Sequence, residues 1–220
     1  MTMISWVRIK CAVCGYEDEY GHLDSTNSFG PCDLDTRPAP MERDTLSYEI
    51  NVCSKCGYSD YDISSLTDKN AKEIIKSKEY QKILNSDMNK TIKAFYLHAI
   101  IAAQNKDYAD AGMSYLKIAW LLDDFKVPEK AIEYRKKAIF YYLEVLKEEK
   151  ADEIKLMLLD LYRRTEQFGK AIEFANQIIF TNESDLFNEI KEYQLYLSTN
   201  KDTACHNLGE LENIRISEEL

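Results

Sequence analysis

Apolar residues recur every three or four positions through most of the chain after residue 90, which is the spacing of one face of an α-helix. The stripes are Ile92, Phe95, Tyr96, Ala99 and Ala103; Tyr108, Ala111, Tyr115, Ile118, Ala119 and Leu122; Ala131, Arg135, Ala138, Ile139, Tyr142 and Leu146; Ile154, Met157, Leu158 and Leu161; and Phe168, Ala171, Ile172, Ala175, Ile178 and Ile179. They predict five helices. The polar breaks between them are short, which predicts that neighbouring helices pack antiparallel.

Two weaker helical patterns lie on either side of these five. One covers residues 70–84 and is expected to begin at Thr67 or Asp68 as the N-cap residue. The other covers residues 186–197, with Ser184 as the N-cap residue. The helical part of the chain is therefore predicted to extend from about residue 66 to residue 200.

The first 65 residues have a different character. They contain three of the four prolines, five of the six cysteines and short β-like runs at residues 5–10 and 48–52. We therefore predict three parts: a cysteine-rich β module over residues 1–65, a helical domain over 66–200 and a C-terminal tail over 201–220.

A short sequence repeats within the helical domain. The sequence motif Lys-Ala-Ile-Glu followed by an aromatic residue occurs at 130–134 and again at 170–174, an offset of 40 residues. A fixed offset with a small alanine at a helix crossing is typical of stacked helical hairpins, and residues 90–182 resemble tetratricopeptide repeats in this respect. A plain helical bundle is the alternative. The predicted fold class is mainly α, with the β module followed by an antiparallel array of tetratricopeptide-like hairpins.

The cysteines of the β module form two Cys-x-x-Cys-Gly-Tyr segments, with Cys11 and Cys14 in the first and Cys53 and Cys56 in the second. Two intervening residues let both thiolates of a pair face one ion, and the following glycine permits the positive φ of such a turn. Two pairs supply four ligands, so we predict one shared tetrahedral metal site. A redox-active pair would instead open a helix in a βαβ unit, which this sequence does not indicate.

Zinc is the expected ion, because four thiolates around zinc stabilise small modules of the zinc-ribbon type. Iron is the alternative, since tetrahedral sulfur sites accept it as well. The two cysteine segments also resemble those of rubredoxin, and that resemblance implies an iron that carries electrons. Four cysteine ligands leave no open coordination position, so we expect no catalysis.

The remaining chemically reactive side chains are expected to have no catalytic role. Cys32 and Cys205 have no evident partner, and His98 lies within an apolar helical stripe, as a core histidine does.

The segment between the two cysteine pairs is rich in proline and charge. Asp33, Asp35 and Arg37 form a candidate recognition loop, in which the guanidinium would bind a carboxylate or phosphate. The alternative is that Arg37 pairs with its aspartate neighbours and the prolines only stiffen an insertion.

The order of these motifs resembles a bacterial family of uncharacterised, metal-binding proteins. The shared features are Cys-x-x-Cys, then Asp-Leu-Asp-Thr-Arg-Pro at 33–38, then Cys-x-x-Cys-Gly-Tyr, with tetratricopeptide-like helices after them. The resemblance implies metal binding and protein interaction, and it implies no reaction.

Charge limits the class of partner. The chain has a formal net charge of −10, and residues 1–65 carry five basic against eleven acidic side chains. A phosphate backbone would be repelled, so we expect no nucleic acid, and a protein with a basic surface is favoured instead. The longest apolar run is too short for a membrane span, and no secretory signal is evident, which favours the cytoplasm.

These observations predict a non-catalytic protein with a structural zinc, whose helical domain binds a protein or peptide. The alternative is a rubredoxin-like iron protein for electron transfer, with the helices as a docking domain. The sequence gives no indication of the oligomeric state.

Overall fold

The chain is mainly helical, with a small antiparallel β region at its N-terminus, as the sequence predicts. The computed structural model describes residues 1–65, 70–181 and 184–211. The strands are β1 (Met3–Lys10), β2 (Glu17–Ser25), β3 (Asn51–Val52) and β4 (Ser59–Asp60), with a 3₁₀ helix at Glu42–Tyr48. The helices are α1 (Ala71–Ile74), α2 (Lys78–Leu84), α3 (Lys90–Gln104), α4 (Tyr108–Asp124), α5 (Pro128–Glu148), α6 (Asp152–Arg164), α7 (Phe168–Gln177) and α8 (Asp185–Thr199).

Two antiparallel hairpins make up the β region, and each carries one cysteine pair in its turn. The β1–β2 hairpin runs in register from Lys10 opposite Glu17 to Ile4 opposite Leu23, and the β3–β4 hairpin pairs Asn51 with Asp60. The strand predicted at residues 5–10 is confirmed. The one predicted at 48–52 is wrong in its first half, because Tyr48 ends the 3₁₀ helix and only Asn51–Val52 pairs as a strand.

The five predicted helices are confirmed as α3 to α7, and consecutive helices from α3 to α8 pack against each other. The prediction for residues 186–197 corresponds to α8, with Ser184 as its N-cap residue. The single helix predicted over residues 70–84 is instead two helices. Ser77 interrupts it, because its backbone is extended and its Oγ accepts a hydrogen bond of 3.2 Å from the N–H of Tyr80, which begins α2 anew. Thr67 and Asp68 lie outside the described residues.

The same type of turn ends four of the helices. Lys106, Lys126, Glu166 and Lys201 adopt left-handed φ values of 63°, 57°, 62° and 55°. The residue after each donates its N–H over 2.9–3.0 Å to a carbonyl five positions earlier: Asp107 to Ala102, Val127 to Leu122, Gln167 to Tyr162 and Asp202 to Leu197. This geometry satisfies the last carbonyls of a helix and reverses the chain within a few residues. After α3, α4 and α6 the next helix therefore packs alongside, and after α8 the segment 202–211 folds back instead.

The 40-residue repeat marks equivalent positions in two helices. Ala131 in the first turn of α5 and Ala171 in the first turn of α7 are 0% and 1% exposed. α5 packs on α4, and α7 packs on α6. The repeated alanine is therefore buried in the first turn of the second helix of each pair, where the sequence predicts a small side chain.

The β region and the first helices share one hydrophobic cluster. Cys11, Cys53 and Tyr58 pack in it together with Leu97 and Ile101 of α3. The helices α3 to α7 supply a second, larger cluster. The structure is therefore continuous across the sequence boundary near residue 65. Of the helices that the structure describes, none is long and apolar enough to cross a membrane.

The segment 201–211 folds back onto the loop between the two cysteine pairs. The N–H of Leu34 donates to the carbonyl of His206 over 2.9 Å, and the N–H of Leu208 donates to the carbonyl of Cys32 over 3.0 Å. Leu211 packs in a cluster with Leu34. This part of the predicted tail is therefore integrated into the fold, and residues 212–220 lie outside the described residues.

Candidate metal centre

The two cysteine pairs adopt the same turn. In the first, the N–H of Gly15 donates to the carbonyl of Cys11 and the N–H of Cys11 donates to the carbonyl of Tyr16, each over 2.8 Å. In the second, Gly57 donates to Cys53 and Cys53 donates to Tyr58 over the same distance. The two glycines have φ values of 70° and 77°, a left-handed conformation that an L side chain rarely adopts. The predicted reason for a glycine after each pair is therefore confirmed.

The hairpins bring the four sulfur atoms together. The Sγ atoms of Cys11, Cys14, Cys53 and Cys56 all lie within 4.8 Å of one another. Across the two turns, the Sγ atoms of Cys11 and Cys56 are 3.7 Å apart, and those of Cys14 and Cys53 are 3.6 Å apart. In a tetrahedral site with metal–sulfur bonds of about 2.3 Å, the sulfur–sulfur separation is about 3.8 Å. The arrangement is therefore compatible with one metal ion, whereas a disulfide would need about 2.05 Å.

The sulfur cluster lies at the edge of the shared core. Cys11 and Cys53 are each 1% exposed, while Cys14 and Cys56 are more accessible. Burial raises the pKa of the Cys11 and Cys56 thiols. Desolvation is the largest single effect on Cys53 and would raise its pKa. The hydrogen bonds from the backbone of Cys56 and Lys55 and from the neighbouring thiols together outweigh it, so the pKa of Cys53 is lowered. Four thiolates cannot coexist at these distances without a cation, and a bound metal ion deprotonates them.

Packing fixes the second turn in place. The hydroxyl of Tyr80 in α2 donates to the carbonyl of Gly57 over 2.7 Å. A Cβ added at Gly57 would lie 2.5 Å from the Cδ2 of Leu84, so a larger residue would have to displace this side chain in addition to adopting an unfavourable φ. The N–H of Ala12 donates to the carbonyl of Ile63 over 2.9 Å and links the first turn to the segment that follows the second hairpin. The ligand positions therefore depend on α2 as well as on the hairpins.

Comparison of the sequence with known protein families assigns this chain to one of them. A family model described as an uncharacterized protein conserved in bacteria, DUF2225, matches residues 7–195. The chain belongs to this family. The match spans both cysteine pairs, the loop between them and the helices through most of α8, in agreement with the resemblance predicted from the motifs. Neither curated proteins nor solved structures gave a match.

In this DUF2225 chain, the candidate recognition loop is buried. Asp33, Asp35 and Arg37 are 6%, 1% and 5% exposed. The Nη2 atom of Arg37 donates to the Oδ2 atom of Asp124 at the end of α4 over 2.6 Å. The Oδ2 atom of Asp35 accepts a hydrogen bond of 2.7 Å from the indole N–H of Trp120 in α4. Each of these side chains is thus engaged within the fold.

The contacts of Arg37 differ from both interpretations of the sequence. Only its backbone N–H reaches a neighbouring aspartate, at 3.3 Å from the Oδ1 atom of Asp35. Its side chain pairs with a residue 87 positions away. The loop packs with α6 and α8 through Leu34. Cys11 and Cys53 belong instead to the cluster that the β region shares with α3. The DUF2225 fold therefore does not bring the loop and the metal-site cysteines into one hydrophobic cluster.

His98 and Cys205, two of the residues expected to have no catalytic role, have hydrogen-bond partners within the fold. His98 is 4% exposed, and its Nε2 atom lies 2.7 Å from the Oδ2 atom of Asp110, as a core histidine requires. The thiol of Cys205 donates to the Oδ2 atom of Asp33 over 3.2 Å, and burial raises its pKa to about 12. Burial likewise raises the pKa of the Cys32 thiol. A raised pKa lowers the thiolate fraction near neutral pH, which disfavours a nucleophilic role for either thiol.

The sequence did not predict a set of buried ion pairs beneath the loop. Arg135 pairs with Asp123, and the Nη2 atom of Arg163 lies 2.5 Å from the Oδ1 atom of Asp160. Burial raises the pKa of Asp35, with the charge of Asp160 adding to the effect. One signal was present in the sequence: Arg135 occupies a position in the apolar stripe of α5, where a charge needs a partner.

Proposed function

We propose that the four-cysteine cluster binds one zinc ion, which holds the two hairpins together and anchors them to the helical domain. The observation that supports this proposal best is the pair of cross-turn sulfur distances, 3.6 and 3.7 Å, which match the edges of a tetrahedral thiolate site. Each of these distances joins a cysteine of one hairpin to a cysteine of the other. One ion would therefore link segments that lie about 40 residues apart in the chain.

The size of the hairpins favours a structural role for the ion. The β3–β4 hairpin has only two residues in each strand. A hairpin of this size is marginal in water without further support. Zinc with four cysteine ligands contributes its binding energy to folding, and its closed coordination leaves no position for a substrate.

We further propose that the helical domain is a non-catalytic module that binds a protein or peptide in the cytoplasm. Consecutive antiparallel helices offer a continuous side-chain surface, and arrays of this kind act through such surfaces. The free thiols suit a reducing compartment. The acidic β region favours a partner with a basic surface at that end.

The decisive experiment measures the metal content and the visible spectrum of protein purified without oxygen from cells supplied with both iron and zinc. One zinc per chain and no visible absorption are expected. One iron per chain with sulfur-to-iron charge-transfer bands would contradict the zinc proposal and favour electron transfer. A chain that folds with no bound metal would contradict the metal site itself.

A further inference from the structure

Six aromatic rings form one continuous array across three consecutive helices. They are Tyr96 of α3, Tyr108 and Tyr115 of α4, and Tyr134, Phe140 and Tyr141 of α5. Tyr115 stacks on Tyr141 with ring centroids 5.6 Å apart, and Tyr96 meets Tyr115 edge-on at 5.4 Å. Stacked and edge-on contacts of this kind hold the rings rigid. The array is therefore a preformed surface rather than a set of independent side chains.

A groove of about 390 Å³ opens on this array, and we call it the tyrosine groove. It is lined by Tyr96, Tyr115, Lys136, Lys137, Phe140 and Tyr141, with Glu79 of α2 also present. Phe140 is 58% exposed, although it contacts Tyr141 edge-on at 5.1 Å. Rigid tyrosines beside an exposed aromatic ring resemble the residues that contribute most energy at protein interfaces.

Lys137 places a positive charge against the rings. Its Nζ atom lies 4.5 Å from the ring centroid of Tyr96 and 5.1 Å from those of Tyr115 and Tyr134. It donates one hydrogen bond of 2.8 Å to the hydroxyl of Tyr96. Among the side chains that the structure describes, no carboxylate forms an ion pair with it. A half-buried ammonium with only neutral partners attracts an anion, because desolvation strengthens its field.

The buried phenols beside Lys137 remain neutral and therefore bring no negative charge to it. Burial raises the pKa of Tyr115, and it raises that of Tyr134 to about 12. Both phenols are therefore neutral near pH 7. With Lys136 and Lys137 against one carboxylate at Glu79, the groove carries a local positive charge on a protein of net charge −10. This charge selects an anionic ligand.

We propose that the tyrosine groove binds a peptide segment of a partner protein that carries a carboxylate next to an apolar or aromatic side chain. The carboxylate pairs with Lys137 and accepts hydrogen bonds from the tyrosine hydroxyls. The neighbouring apolar side chain packs on Phe140 and Tyr141. This inference rests on the proposed interaction function and specifies its surface and its partner chemistry.

The test is a selection from a phage-displayed library of random dodecapeptides against the metal-loaded full chain, followed by affinity measurements on the selected peptides. We expect Asp or Glu to be enriched beside Phe, Tyr, Trp or Leu. The Lys137→Met variant, which keeps the aliphatic stem, is expected to weaken binding by about tenfold or more, and Lys137→Arg to restore most of it. Phe140→Ala should weaken binding to a similar degree.

Lys147→Met is the matched control, since Lys147 is an exposed lysine of the same helix that pairs with Glu144 outside the groove. It should leave the affinity unchanged. Binding to wild type should also fall as salt is added, because the pairing is electrostatic.

Three outcomes would overturn the proposal. Selected peptides that bind Lys137→Met and Phe140→Ala as tightly as wild type would place the interaction on another surface and leave the proposed interaction function standing. Failure to select any peptide would count against the tyrosine groove as a binding site and against the proposed interaction function. A homodimer that Phe140→Ala dissociates would show that a second copy covers the groove.

Discussion

The indole N–H of Trp120 donates a hydrogen bond of 2.7 Å to the Oδ2 atom of Asp35, a residue 85 positions earlier in the chain. Asp35 is 1% exposed and belongs to the loop between the two cysteine pairs, while Trp120 lies in the last turns of α4. Together with the pair of Arg37 and Asp124, this bond attaches the loop to the helical domain.

Replacing Trp120 by Phe removes the indole N–H and leaves the buried Oδ2 atom of Asp35 without this hydrogen-bond donor. The free energy of unfolding should fall by about 1–3 kcal/mol, measured by chemical denaturation. The control is Trp6→Phe, because Trp6 is the other tryptophan and is 70% exposed. That change should stay within about 0.5 kcal/mol of wild type. Equal stability of the two variants would contradict an anchoring role for the Asp35–Trp120 bond.

Replacing Cys14 and Cys56 together by Ser takes one ligand from each hairpin. We expect loss of the tightly bound metal and faster amide hydrogen exchange across residues 1–65. Exchange should also rise in α2 and α3, since Tyr80 and Leu97 lie in the same cluster as Cys11 and Cys53. Metal analysis and exchange mass spectrometry measure these effects.

Cys32→Ser is the matched control for that double variant, because Cys32 is a free cysteine of the same region outside the four-sulfur cluster. It should retain one metal ion per chain. A double variant that also retains one ion per chain would show that the four cysteines do not form a shared site.

The pair of His98 and Asp110 predicts a pH dependence of stability. Desolvation, the largest effect, lowers the pKa of His98, but the hydrogen bond and charge of Asp110 outweigh it and raise the pKa above the ordinary 6.5. The folded state therefore binds this proton more tightly than the unfolded state. The stabilisation is fully present below pH 6.5 and is lost as the pH rises through the folded pKa.

Asp110→Asn measures this contribution. The difference in unfolding free energy between wild type and variant should be largest just below pH 6.5, where the imidazole is charged and a carboxylate is ionised, and it should shrink as the pH rises above 6.5. His22→Gln serves as the control for the loss of a histidine away from this pair, because His22 is exposed on β2. A wild-type advantage over Asp110→Asn that grows with pH would contradict the prediction.

Two helical glycines should respond in opposite directions to the same substitution. A Cβ at Gly112 in α4 would lie 2.7 Å from the Cε1 atom of Tyr142, whose ring is 1% exposed and cannot move aside. Gly112→Ala should therefore destabilise by about 1–3 kcal/mol.

Gly169 in α7 provides the comparison, because a Cβ there meets nothing within 4 Å. Gly169→Ala should raise the melting temperature, since alanine favours a helix over glycine by up to about 1 kcal/mol. A Gly112→Ala variant that also melts higher than wild type would show that α4 and α5 do not approach as closely as described.

The sequence alone was sufficient for the features that depend on local spacing. The cysteine pairs and their glycines predicted both turns, because a turn of this kind needs only a few consecutive residues. The stripes from Ile92 to Ile179 predicted α3 to α7, because burial of one helix face repeats every three or four positions. Residues 70–84 show the limit of this signal, since the capping hydroxyl of Ser77 divides a continuous apolar pattern into two helices.

Contacts between distant segments were decided by the tertiary structure. The sequence of the 33–38 loop allowed both an exposed recognition site and local pairing, and α4 instead supplies Trp120 and Asp124 as its partners. The return of residues 201–211 to this loop and the joining of tyrosines from three helices into one groove likewise have no local signature. Such contacts depend on which helix faces meet, and periodicity determines only that each helix has a face to bury.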